Sequence, residues 1–102
     1  MSDLKERPHL SLLQQKRADI LAIAQKHGAK NVRVFGSVAR GDADENSDLD
    51  FLVEMEAGRS LFDLGGVQYD LESLLGLPVD VVTEKGLRKS IKARVLAEAI
   101  VL

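Results

Sequence analysis

The sequence predicts an α/β domain in which a small mixed β-sheet carries helices packed against it. Three observations lead there. The chain has 102 residues, enough for one core and not for two, so 1–102 reads as a single domain. Apolar residues switch between helical spacing and short contiguous runs in the order α-β-α-β-α-β-α. Glycines and a Ser…Asp cap fall at the joins.

From about residue 9 to 27, Leu10, Leu13, Ile20, Leu21 and Ala24 share one helical stripe, and Gly28 is placed as its stop. Asn31 to Phe35 reads as a short strand, and Gly36-Ser37 turns out of it into a brief helical piece carrying Arg40. Residues 49–54 form a second strand. Glu56 to Arg59 is a connection, and Ser60 with Asp63 makes a capping box for a helix running to Leu75. Gly65-Gly66 inside that helix costs about 1 kcal/mol per glycine relative to Ala, which implies a close backbone approach or a local break. Gly76 ends the helix. Val79 to Thr83 is a third strand whose composition suggests burial on both faces. Leu87, Ile91, Val95 and Ala99 give a C-terminal helix of spacing four, and Ile100-Val-Leu102 either extends it or adds a short strand.

Composition narrows the functional classes. With 45% hydrophobic and 29% charged residues the chain is an ordinary globular sequence rather than a disordered one. A net charge of −2 gives no electrostatic reason to expect direct nucleic-acid binding. The absence of cysteine removes disulfides and thiolate metal sites. The longest stretch free of charged residues, Pro8 to Gln15, is far too short for a membrane span, so no membrane partner is expected. Residues 1–7 mix both charge signs and lack an apolar signal core, and the expectation is a cytoplasmic protein.

Charge sits where packing does not ask for it. On a strand, residues i and i+2 point the same way, so Asp48 and Asp50 share a face while Leu49, Phe51 and Val53 enter the core on the other. Two adjacent carboxylates repel, and a divalent cation between them resolves the conflict. Oxygen ligands without nearby His or Cys favour Mg²⁺ or Mn²⁺ over zinc. Asp80, in the middle of an apolar strand, would be costly if buried alone. Beside the second strand it would bring a third carboxylate to the same edge, the donor set of a two-metal phosphoryl-transfer site. Taken singly, Asp48 also reads as a turn residue and Asp80 as an edge-strand charge. Their occurrence together with the Gly-Ser turn favours the metal site.

On the phosphate side, Gly36 permits close backbone approach, Ser37 can donate a hydroxyl to a phosphate oxygen, and Arg40 can give a forked contact. The plainer alternative makes Ser37 a helix N-cap and Arg40 a solvated charge. No Gly-Lys-Ser or Gly-Lys-Thr occurs, which argues against a P-loop. Five of the 14 basic residues, Lys85, Arg88, Lys89, Lys92 and Arg94, fall within ten positions. They read as a solvated helix face complementing a C-terminal helix dipole, or as a contact to phosphates or an acidic partner.

Phe35-Gly36-Ser37, ten intervening residues, then Asp48-Leu-Asp50-Phe51, with Asp80 on a later strand, resemble the DNA polymerase β-like nucleotidyltransferase superfamily. The closer likeness is to its minimal nucleotidyltransferases, which serve as antitoxins paired with HEPN-domain toxins. The resemblance spans nearly the whole chain, and the core motif shows no departure. It implies the polymerase β palm-like fold and Mg²⁺-dependent transfer of AMP from ATP to a hydroxyl, with pyrophosphate leaving. Gly36, Ser37 and Arg40 would hold the triphosphate. Asp48 and Asp50 would ligate two metal ions, and Asp80 would complete one of them and take the acceptor's proton. The implied partner is a HEPN-domain toxin modified on tyrosine, with a non-catalytic masking antitoxin as the alternative. Transfer to RNA or a small molecule is less favoured, because only Phe35, Phe51, Phe62 and Tyr69 are aromatic; Tyr69 is expected to pack against its own helix's apolar neighbours.

Overall fold

The computed structural model describes residues 9–102; the mixed-charge segment 1–7 lies outside them. The elements run α1 (Leu10–Gln15), α2 (Arg17–Lys26), β1 (Ala29–Phe35), α3 (Gly36–Arg40), β2 (Leu49–Met55), α4 (Leu61–Leu75), β3 (Val79–Thr83), a 3₁₀ turn (Glu84–Gly86), α5 (Lys89–Glu98) and β4 (Ile100–Val101). The sheet order is β3-β2-β1-β4. β1 lies antiparallel to both β2 and β4, while β2 and β3 are parallel, joined through α4 as a crossover. The mixed sheet with attached helices matches the expected class.

Alternation along β2 divides the molecule. Leu49, Phe51 and Val53 enter the main core with Ile20 and Ala24 of α2 and Val67 and Leu71 of α4. Asp50 and Leu52 face the other side, where Leu52 is fully buried. The capping box forms as expected: the Ser60 hydroxyl oxygen accepts from the Phe62 N–H, and Asp63 accepts from the Ser60 N–H. That backbone bond is the chief cause holding the Asp63 carboxyl below its ordinary pKa, aided by Arg59.

Several expectations are corrected. The N-terminal helix is interrupted at Lys16 (φ −103°, ψ 15°), although no proline or glycine marks the place. The bond from the Lys16 N–H to the Leu12 carbonyl and that from the Ile20 N–H to the Lys16 carbonyl carry the chain across the interruption. α4 is continuous through Gly65-Gly66, so the pair marks an approach rather than a break: a Cβ on Gly66 would lie 2.6 Å from the His27 ring. Among the described residues β3 is an edge strand, and it is not buried on both faces: Val79 and Val81 are buried on one and Asp80 is exposed on the other. The argument from the cost of burying Asp80 therefore does not apply. The basic residues from Lys85 to Lys92 precede α5 or occupy its first half, and no basic residue lies in its last turn, so they do not complement the C-terminal dipole. The terminal Ile100-Val101 forms a strand, and Tyr69 is 70% exposed instead of packed.

Candidate active site

The parallel register sets Asp50 of β2 directly opposite Asp80 of β3. The antiparallel register on its other side sets Asp50 opposite Phe35, the last residue of β1. Gly36 follows at once, so the sheet alone brings the Gly-Ser turn and two of the three acids to one place. Asp48 lies one residue before β2 and is exposed.

Gly36 is required there twice over. Its φ is +76°, in the left-handed region, and a Cβ would collide with Asp50 Oδ2. Ser37 does not cap α3: the N-cap position belongs to Phe35, and no side chain caps that helix. Its hydroxyl is thus not committed to the turn, which removes the N-cap reading of Ser37. Gly41, at φ +84°, closes α3 and leaves Arg40 half exposed at its end.

Asp50 is the electrostatic centre. Burial first, then the charges of Asp80 and Asp48, push its carboxyl up from an ordinary 3.8 to about 6, with Arg40 opposing and Glu98 adding to the rise. Three acids that act on one another in this way, with no imidazole or thiolate among them, have the donor chemistry of a Mg²⁺ or Mn²⁺ site. Among the described residues no three His, Asp or Glu side chains already stand close enough together to form a ready-made metal cage. The fit is one of donor type and strand register.

Glu98 is the residue that the sequence reading missed. It ends α5, and its Oε2 accepts the Gly36 N–H at 2.7 Å. Arg40 Nη1 donates to the same carboxylate at 3.3 and 3.4 Å, and Arg40 Nε donates to Asp42 at 3.3 Å. The one signal in the sequence is an acid in the last turn of a helix, where the macrodipole disfavours negative charge.

The acids line open surface. A cleft of about 760 Å³ lies at the far end of β2 and β3, lined in part by Glu54, Arg59, Glu84 and Lys92 and by none of the three aspartates. A smaller one of about 250 Å³ flanks α3 and is lined in part by Val38, Arg40 and Ala43.

A Methanocaldococcus jannaschii protein named a putative protein adenylyltransferase is 46% identical over 81 residues, covering 79% of this chain and 87% of that protein. The protein adenylyltransferase MntA of Thermococcus cleftensis is 40% identical over 78 residues, covering 76% and 79%. The solved structure of a putative minimal nucleotidyltransferase superposes over the full length of both chains with a TM-score of 0.83 and 47% identity. A toxin–antitoxin crystal structure with AMP-PNP shares the fold at 20% identity, with a TM-score of 0.70 over 82% of this chain and 69% of that one. Residues 17–102 match the nucleotidyltransferase domain family. With that match and the full-length likeness to a minimal nucleotidyltransferase, the chain belongs to the nucleotidyltransferase domain family, the enzymes that transfer a nucleoside monophosphate.

Proposed function

We propose that this chain transfers AMP from ATP to a hydroxyl, a tyrosine, of a HEPN-type toxin and thereby neutralises it. The observation that carries the reading is the cross-strand placement of Asp50 against Asp80, with Gly36 pressed onto Asp50 from the other side. It is supported by relatives named protein adenylyltransferase, and by a fold shared with a toxin–antitoxin complex bearing AMP-PNP.

Asp48, Asp50 and Asp80 would hold two Mg²⁺ ions, which supply positive charge to the triphosphate and lower the pKa of the acceptor hydroxyl. The Gly36 N–H and the Ser37 hydroxyl would hold the phosphates, and Arg40 would give a charged contact to the leaving pyrophosphate. Asp80, exposed on β3, would receive the proton of the incoming hydroxyl. The acceptor surface would be supplied by the partner.

A masking antitoxin is the second reading, and one observation favours it. Leu61, Phe62 and Tyr69 of α4 are 83%, 91% and 70% exposed, an apolar face available to a partner. One experiment separates the two. The chain is incubated with a HEPN-domain toxin, ATP and Mg²⁺, and the toxin is weighed by mass spectrometry. The expected result is a gain of AMP units on the partner that disappears with Asp48→Ala/Asp50→Ala. A stable complex with no mass gain, and neutralisation undiminished in the double variant, would replace transfer by masking.

A further inference from the structure

Glu98 occupies the groups that the proposed function gives to the nucleotide. Its Oε2 lies 2.7 Å from the Gly36 amide, and both its oxygens lie within 3.4 Å of Arg40 Nη1. These are two of the three groups assigned to the triphosphate. The side chain is only 16% exposed, so the carboxylate is seated in the turn rather than resting on the surface.

The placement works against Glu98 in every other respect. It is an acid in the last turn of α5, facing the negative end of the helix dipole. Its charge also acts against that of Asp50. The Gly36 amide and the Arg40 guanidinium are what compensate, as they would for any anion of suitable shape. We infer that Glu98 is an internal stand-in for a phosphate group, so that nucleotide entry exchanges one anion for another. The inference rests on the reading of Gly36 and Arg40 as the triphosphate seat.

The fold allows the exchange without unfolding the site. Gly36 and Arg40 belong to α3, between β1 and β2, whereas Glu98 arrives on α5 from 62 positions away. Ala99 follows in an extended conformation, Ile100 and Val101 pair with β1, and Leu102 adds a bond to Val32 and one from Arg17. Release of Glu98 therefore needs a side-chain rotation or a small displacement of α5. While Glu98 is seated, the binding-competent fraction is reduced and the apparent affinity falls in proportion. An empty chain keeps its cradle ordered and closed to weaker anions.

The test is calorimetric titration of the full chain with Mg²⁺ and AMP-PNP, repeated with inorganic pyrophosphate, for wild type, Glu98→Gln and Glu98→Ala. Glu98→Ala is expected to bind both ligands about three- to ten-fold more tightly than wild type, with Glu98→Gln between them. Glu98→Gln keeps the shape of the side chain and decides the matter if Glu98→Ala does not fold. Wild-type binding with affinity unchanged or weakened in both variants would overturn the exchange and make Glu98 a support for the cradle, leaving the nucleotide site intact. Failure of wild type and variants alike to bind either ligand would overturn both the exchange and the site.

Discussion

Burial, reinforced by the charges of Asp80 and Asp48, lifts the Asp50 carboxyl to about 6, and this has a consequence for stability in the metal-free chain. The folded pKa lies above the ordinary 3.8, so the protonated acid is favoured by folding and the ionised one is penalised. Stability from this group is fully present below pH 3.8 and is lost as pH rises through 6. Asp50→Asn escapes that loss. It is expected to raise stability at pH 7.5 by about 1–2 kcal/mol, after discounting for partial exposure, and to change little at pH 4. Thermal melts at the two pH values check it. Added Mg²⁺ should raise the melting temperature of wild type at pH 7.5 but not that of Asp50→Asn, and transfer activity should vanish in the variant. Gly36 offers the complementary case. Gly36→Ala combines a left-handed φ with a collision against Asp50, and a loss of about 1–3 kcal/mol in urea denaturation is expected together with lost nucleotide binding. These residues were legible because strand alternation and the Gly-Ser turn are local patterns. Glu98 was not, because its partner lies 62 positions away and only the closed sheet brings them together.

Among the elements, α4 shows how far local chemistry determines structure and where it stops. The Ser60/Asp63 cap and the Gly76 stop, at φ +68°, delimit the helix as the sequence indicates. Adjacent glycines within it, however, have opposite environments that no local pattern distinguishes. Gly65 faces open space. Gly66 abuts the His27 ring, whose Nε2 is hydrogen-bonded to Asp70 at 2.7 Å; that bond, with Lys26 nearby, holds the Asp70 carboxyl below its ordinary range. Gly65→Ala should therefore stabilise by about 0.5–1 kcal/mol through helix propensity. Gly66→Ala should destabilise, since the ring it would displace is anchored between α2 and α4. Denaturant midpoints of the two variants, expected to move in opposite directions, give the answer; a stabilised Gly66→Ala would show that the α2–α4 approach is loose. The edge position of β3 was one of the two readings that Asp80 offered, whereas the interruption at Lys16 and the one-sided burial of β3 escaped the sequence for a related reason. Both follow from what the elements pack against, and neither needs a special residue.

At the scale of the whole molecule, the sheet has two unlike edges. β3 carries Asp80 at one, where a charge on an exposed edge suits the proposed metal site and protects from edge-to-edge pairing. At the other edge β1 is covered by only two residues of β4, paired as Arg33 with Val101 and Val34 with Ile100. The closing residue adds two further ties: the Leu102 N–H donates to the Val32 carbonyl at 3.0 Å, and Arg17 Nε donates to the Leu102 carbonyl at 2.7 Å. Val34 is fully buried and Val32 nearly so, so the strand beneath this cover is apolar. Removing residues 100–102 would bare the β1 backbone along that length and unfasten the end of α5 that positions Glu98. The truncated chain should melt at lower temperature and self-associate as concentration rises, through pairing of the bared β1 edges. Light scattering across a concentration series measures the second effect independently of the first. A truncated chain that stays monomeric and melts like wild type would show that β4 is incidental to the sheet. Nucleotide titration of the same chain ties this edge to the site: freed from β4, Glu98 should leave Gly36 more often, and apparent affinity should rise in the direction expected of Glu98→Ala.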